Sequence, residues 1–316
     1  MLTVLGIIVL VNIAVPFLAR SSSPRQRLKT IQESGPVTDL FFGNSLIDAG
    51  VDARAFELGF PGRKAVNLGL GATAPVEHYL MLLASARLRP SAVYYGFVDT
   101  ELTDSIRADF SALSGNRAMV YYVYPDTAIR YYASESHGLE FLLRLGRLIP
   151  MVVDRTAIWG RVEKLRRRIE RIGLPAEATS RFGRDKDFAE VAALGAASFR
   201  SHIGLAVARR RPLTAPILGF IQTVHRRGAA VVFIAMPMPT THRLPRYGLV
   251  EWANYKGYIQ RLLEAQGARL IDATDWVPDD GFLDPFHLAP SGAAIFSRRL
   301  GQTLGSDMGV PSGTAH

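Results

Sequence analysis

Two short stretches carry the residue types for nucleophilic chemistry: TDLFFGNSLIDAG (38–50) holds Ser45, and DPFH (284–287) holds Asp284 and His287. A serine hydroxyl is a poor nucleophile until a base takes its proton, and histidine is a base with a suitable intrinsic pKa. Asp284 stands three residues before His287, ahead of a helical pattern, where a carboxylate can turn back, accept the imidazole Nδ1 proton and fix the tautomer. A plainer reading stands beside this one. Serine ahead of an apolar helix also serves as an N-cap, and Asp284 before Pro285 also suits a turn, with His287 as a core histidine.

Only a fold can bring these stretches together, and the apolar runs define it. VTDLFF (37–42), AVNLGL (65–70), SAVYYGF (91–97), AAVVFIAM (229–236) and ARLIDA (268–273) lack clean alternation and are separated by helical lengths of chain, as buried parallel strands are. Helical patterns run over 74–88, 217–228, 252–267 and 291–304. Strand and helix in alternation predict an α/β fold, a three-layer doubly wound sheet of about five parallel strands. A helical insertion, about 105–215, separates the third strand from the fourth, with helical stretches near 138–149 and 157–172 and a Gly/Arg/Asp-rich passage near 181–187. Insertions of that size on such a core commonly form lids or substrate platforms.

Ligands of open α/β sheets bind beyond the carboxyl ends of the strands. Residues at those ends are GNSL (43–46), NLGLGAT (67–73), GFVD (96–99), MPMP (236–239) and the loop leading to DPFH. The order of serine near the first strand and Asp-x-x-His after the last resembles the SGNH/GDSL hydrolase superfamily, over about Val37 to Leu304 without the insertion. GNS stands for that family's Gly-Asp-Ser block, NLGLG for Asn-x-Gly, GFVD for Gly-x-Asn-Asp and DPFHL for Asp-x-x-His. The resemblance implies an ester hydrolase or acyltransferase with Ser45 as nucleophile, His287 as base and Asp284 as orienter. It also implies an oxyanion hole made by the Ser45 N–H and a glycine N–H, from Gly71 or Gly69.

Two positions depart from the pattern. Asn44 replaces the usual aspartate, and Val98 stands where the oxyanion asparagine belongs, a loss that typically costs about 10²–10³ in rate. Asn44 and Asn67 are candidate substitutes, and Asp99 reads as a structural acceptor at a strand end. Tethering plus a helical insertion resembles the branch that moves acyl groups on cell-envelope polysaccharides, which makes an acyl ester of an anionic envelope polysaccharide the expected partner.

The first residues support tethering. LTVLGIIVLVNIAVPFLA (2–19) runs without a charge for nearly the thickness of a hydrocarbon core and reads as a single-pass membrane anchor, followed by a Ser- and Arg-rich linker over 20–34. A cleaved signal peptide is the rival, but no basic n-region precedes the run and no small-x-small site closes it. Arg20, Arg25, Arg27 and Lys29 after the run favour a cytoplasmic domain by the positive-inside tendency, whereas the envelope resemblance favours an extracytoplasmic one.

Composition narrows the remaining classes. At 316 residues, 48% hydrophobic, the chain has enough apolar surface for a core over 35–305, and 306–316 reads as a tail. Cys 0 removes disulfides, thiol nucleophiles and cysteine metal sites. The net charge of +9 raises polyanions as partners, but much of it sits in RVEKLRRRIERI (161–172) and ARRRP (208–212), the first with Glu163 and Glu170 at helical spacing from arginines, as on a solvated helix face. No zinc-finger spacing or interleaved aromatic and basic pattern points to nucleic acid. His78, His225 and His242 lack ligand partners at metal spacing, and neither metal nor cofactor is expected.

Overall fold

The computed structural model describes residues 2–104 and 188–307, with 116–117, 126–127, 131, 141, 144–145 and 149 between them. Apart from those few positions, the predicted helices near 138–149 and 157–172, the basic run 161–172, the passage 181–187 and the tail from 308 onward lie outside the described residues. The chain divides into two compact units, one of Met1–Ser34, Ala72–Ser85 and Ile106–Ala178, the other of Gly35–Gly71, Ala86–Ser105 and Thr179–His316.

The second unit is built on a five-stranded, all-parallel sheet of order β2-β1-β3-β4-β5: β1 Asp39–Gly43, β2 Ala65–Asn67, β3 Ala92–Phe97, β4 Ala230–Ala235 and β5 Arg269–Asp272. All five apolar runs of the sequence are strands. The register sets Gly43 beside Gly96, and Gly96 beside Ile234, so the carboxyl ends of β1, β3 and β4 lie level. The order reverses between β1 and β3, the switch point at which such sheets leave a crevice.

Alternating side chains explain the layers. Phe41 and Phe42 point to opposite faces of β1. Phe41 stacks on Tyr94 at 4.6 Å and meets Phe56 edge-on at 5.1 Å, while Phe42 meets Phe220 at 5.4 Å. Phe56 lies on α4 (Ala53–Gly59) and Phe220 on α7 (Ala215–Arg226), so these helices cover opposite faces. With α3 (Ser45–Gly50), α4 forms one layer against the C-terminal α10 (Pro290–Asp307). There Gly301 allows close approach, since a Cβ would stand 2.5 Å from the Phe56 carbonyl oxygen. Buried Ser297 of α10 accepts a hydrogen bond from the Asp52 N–H at 2.9 Å, tying the end of the chain to the turn after α3.

The insertion ends in α6 (Phe188–Ala208), which packs on α8 (Thr240–Tyr247) and α9 (Val250–Glu264). Its Ala/Gly-rich sequence gives no single apolar stripe, which is why periodicity passes over it.

In the first unit, α1 spans Leu2–Leu18 and α2 spans Ser23–Glu33. The stretch read as a linker is therefore largely helical, begun by Pro24 in its first turn and anchored by buried Ile31. Among the described residues no helix is long and apolar enough to cross a membrane; α1, at 17 residues, is about 26 Å long. The same unit holds α5 (Pro75–Ala84), whose Glu77 accepts the Ala74 N–H at 2.8 Å and pairs with Arg117 at 3.1 Å.

At the amino end of β1, fully buried Asp39 accepts both Nε and Nη2 of Arg63 at 2.7 and 2.6 Å, and the Tyr94 hydroxyl at 2.9 Å. Removing one partner of a buried pair leaves an uncompensated charge. Arg63→Ala is expected to destabilise the fold by about 3–5 kcal/mol, read from the denaturant midpoint, and Tyr94→Phe by about 1 kcal/mol.

Candidate active site

Ser45 opens α3 directly beyond β1. The turn between them is tight: Gly43 adopts φ +152°, and a Cβ there would stand 2.7 Å from the Gly96 carbonyl oxygen. Ile47, fully buried, fills the space that three glycines leave, because side chains on Gly43, Gly69 or Gly96 would all run into it. Asn67, at the end of β2, latches the same helix by donating from Nδ2 to the carbonyls of Ile47 (2.8 Å) and Val51 (2.9 Å). Its Oδ1 accepts the Gly69 N–H at 2.8 Å.

The other half of the site comes from the loop before α10. Phe282 and Leu288 form an antiparallel bridge, and the Leu283 N–H donates to the His287 carbonyl at 2.8 Å, closing the segment on itself. Within it, Asp284 Oδ1 accepts the N–H groups of Phe286 and His287 at 2.9 and 2.8 Å, an Asx turn that brings aspartate and histidine to one side. His287 Nδ1 then lies 2.8 Å from Asp284 Oδ2, and His287 Nε2 lies 2.9 Å from Ser45 Oγ. The three residues singled out in the sequence thus form one hydrogen-bonded line. Burial works against the Asp284 anion, but the His287 ring and the two backbone N–H groups outweigh it and hold the carboxyl below its ordinary range.

The remaining sequence candidates separate. Asn44 caps α3, its Oδ1 accepting the Leu46 N–H at 2.9 Å, and its Nδ2 donates to Glu101 at 3.3 Å. Asn67 does not serve as a substitute oxyanion donor, because its amide is committed to the α3 carbonyls. The Gly69 N–H donates to Asn67 Oδ1. Val98 lies half-buried just past β3, with no polar side chain to offer. Asp99, at φ +51°, accepts the Tyr247 hydroxyl at 2.6 Å and Arg246 at 3.3 Å. Burial raises its carboxyl above the ordinary value, and those two partners oppose the rise.

Sequence reasoning passed over Glu101 and α8. Glu101 lies in DTELTD, which reads as a polar loop, yet its carboxyl is buried beside Asn44 and receives the Tyr95 hydroxyl at 3.3 Å. Burial, above all, pushes it up to about 8 against the hydrogen bonds from the Val98 backbone and Tyr95. On α8, His242 is fully buried with its ring edge-on to Phe286 at 4.8 Å, the neighbour of His287. Burial and then Arg246 lower His242 to about 4, so it is neutral near neutral pH. Among the described residues no group of His, Asp and Glu could hold a metal ion.

No family model and no curated protein matches the sequence. Among solved structures, a Streptococcus pneumonia protein provisionally described as a platelet activating factor is similar at 11% identity, with a TM-score of 0.42, over 89% of this chain and 91% of that one. That likeness is too slight to bear on chemistry.

Ile47→Ala would open a cavity under α3, with an expected cost of about 2–5 kcal/mol in denaturant unfolding. Glu101 is protonated in the fold up to about pH 8 but ionises near 4.5 in the unfolded chain. The stability it contributes is complete below the lower value and lost as pH rises through the upper. Glu101→Gln should flatten that decline when unfolding is followed across this range.

Proposed function

We propose that the chain is a serine-dependent ester hydrolase or O-acyltransferase of the SGNH type. The observation that carries this reading is the unbroken line from Asp284 through His287 to Ser45 Oγ, at 2.8 and 2.9 Å. In the proposed reaction, His287 Nε2 takes the Ser45 proton as Oγ attacks the ester carbonyl carbon, and Asp284 stabilises the resulting imidazolium. Collapse of the tetrahedral intermediate expels the alcohol, which takes the proton from His287 and leaves an acyl-Ser45. Water or an acceptor hydroxyl then attacks that ester, passing its proton to His287, and Ser45 departs as the free hydroxyl.

The Ser45 N–H, in the first turn of α3, belongs to the donors that a helix start leaves without intrahelical partners, and is the first oxyanion donor of this reading. Gly71 is the second on the strength of the sequence resemblance. An acyl ester of an anionic envelope polysaccharide is the proposed substrate, and a membrane tether through residues 2–19, with the domain on the extracytoplasmic side, is the proposed setting. Val98 favours one competing reading, a catalytically degenerate module that binds a glycan or protein; Val98→Asn gaining ester hydrolysis where the natural chain has none would favour it.

Fluorophosphonate labelling tests the main reading. The wild-type chain should label and Ser45→Ala should not, while Asp284→Asn should lower the rate by about 10⁴. A folded wild type that takes no label overturns it. For the tether, the full chain should stay with membranes through carbonate washing and a chain starting at residue 23 should be released.

A further inference from the structure

Asn44 does two things at once. Its carboxamide oxygen caps α3 through the Leu46 N–H at 2.9 Å, and its nitrogen donates to Glu101 Oε2 at 3.3 Å. A carboxamide can sit in its pocket either way round, and only one way leaves an acceptor facing Leu46; turned over, its NH₂ would oppose that N–H. The acceptor on the far side decides the matter. Glu101 supplies it, held in turn by the Tyr95 hydroxyl of β3 at 3.3 Å, so a chain of contacts runs from the sheet through Glu101 and Asn44 to the first turn of the helix that carries Ser45.

We propose that Glu101 is a positioning residue for Ser45, acting through Asn44. The proposal rests on the acyl-transfer reading of Ser45. It also explains why position 44 is an asparagine. An aspartate there would cap Leu46 equally well but, once Glu101 ionises near pH 8, would set a second carboxylate against it, whereas the carboxamide caps with one end and donates with the other.

The surroundings give this contact a pH signature. Around Glu101, among the described residues, stand Asp99 with its partner Arg246, Asp104 with its partner Arg211, and the hydroxyls of Tyr95 and Tyr255. The two aspartates oppose its ionisation, and burial does so more. When Glu101 does ionise, near pH 8, it places a negative charge beside the turn where the oxyanion forms and opposes that charge.

The test compares the rate of fluorophosphonate labelling in the full chain across pH, with circular dichroism as the check on folding. Glu101→Ala should lower the rate about tenfold, the worth of a cap interaction, and Glu101→Gln, which keeps an acceptor, should recover most of it. The wild type should lose rate as pH rises through about 8, and Glu101→Gln should lack that step. Above about pH 8, where Glu101 is ionised, Asn44→Asp should slow labelling further, and adding Glu101→Gln should restore it, a coupling that needs no alanine variant to fold. Equal labelling by wild type and Glu101→Ala, superimposable pH profiles, or simple addition in the double variant overturns the proposal while the acyl-transfer reading stands. A folded wild type without label overturns both.

Discussion

The site depends on how closely α3 can approach the ends of the strands. Ile47 is the wedge: it occupies the space that Gly43, Gly69 and Gly96 leave by lacking side chains, and it is wholly buried there. Because Ile47 seats the helix against the sheet, its first turn begins immediately beyond β1, and Ser45 has little freedom to be elsewhere. Asn67 then fastens the carbonyl end of the same helix. A side chain held by its own helix, rather than by a loop, keeps its geometry without help from a bound molecule.

The second constraint is the return of the distant C-terminal segment. Nothing local brings residue 287 to residue 45. The tight crossing of α10 on α4 and the Ser297 contact with Asp52 fix where α10 starts, and the closed segment before it projects His287 toward Ser45. Within that segment the Asx turn makes Asp284 and His287 a preformed unit, so docking α10 aligns both at once.

Much of this was legible in the sequence. The five apolar runs are strands because burial on both faces demands uninterrupted hydrophobicity, a signal that survives without tertiary knowledge. Asp284 and His287 were legible as a pair because they stand three positions apart, and Ser45 because it follows the first strand. Glu101 was not legible, since an acidic residue in a polar stretch looks solvated until the fold buries it. Asn67 and Gly69 were read as chemistry but turn out to bond to each other and to α3, a use fixed by tertiary contacts alone. The Ser- and Arg-rich stretch before β1 read as a linker by composition, although Pro24 and Ile31 are enough to start and anchor a helix.

The buried cluster of Asp39, Arg63 and Tyr94 sits at the amino end of β1, and Ser45 just past its carboxyl end. The length of the strand therefore keeps the two clusters apart. Asp39, Arg63 and Tyr94 hold one end of β1, and the hydrogen-bonded line of Asp284, His287 and Ser45 stands at the other, with no residue shared between them.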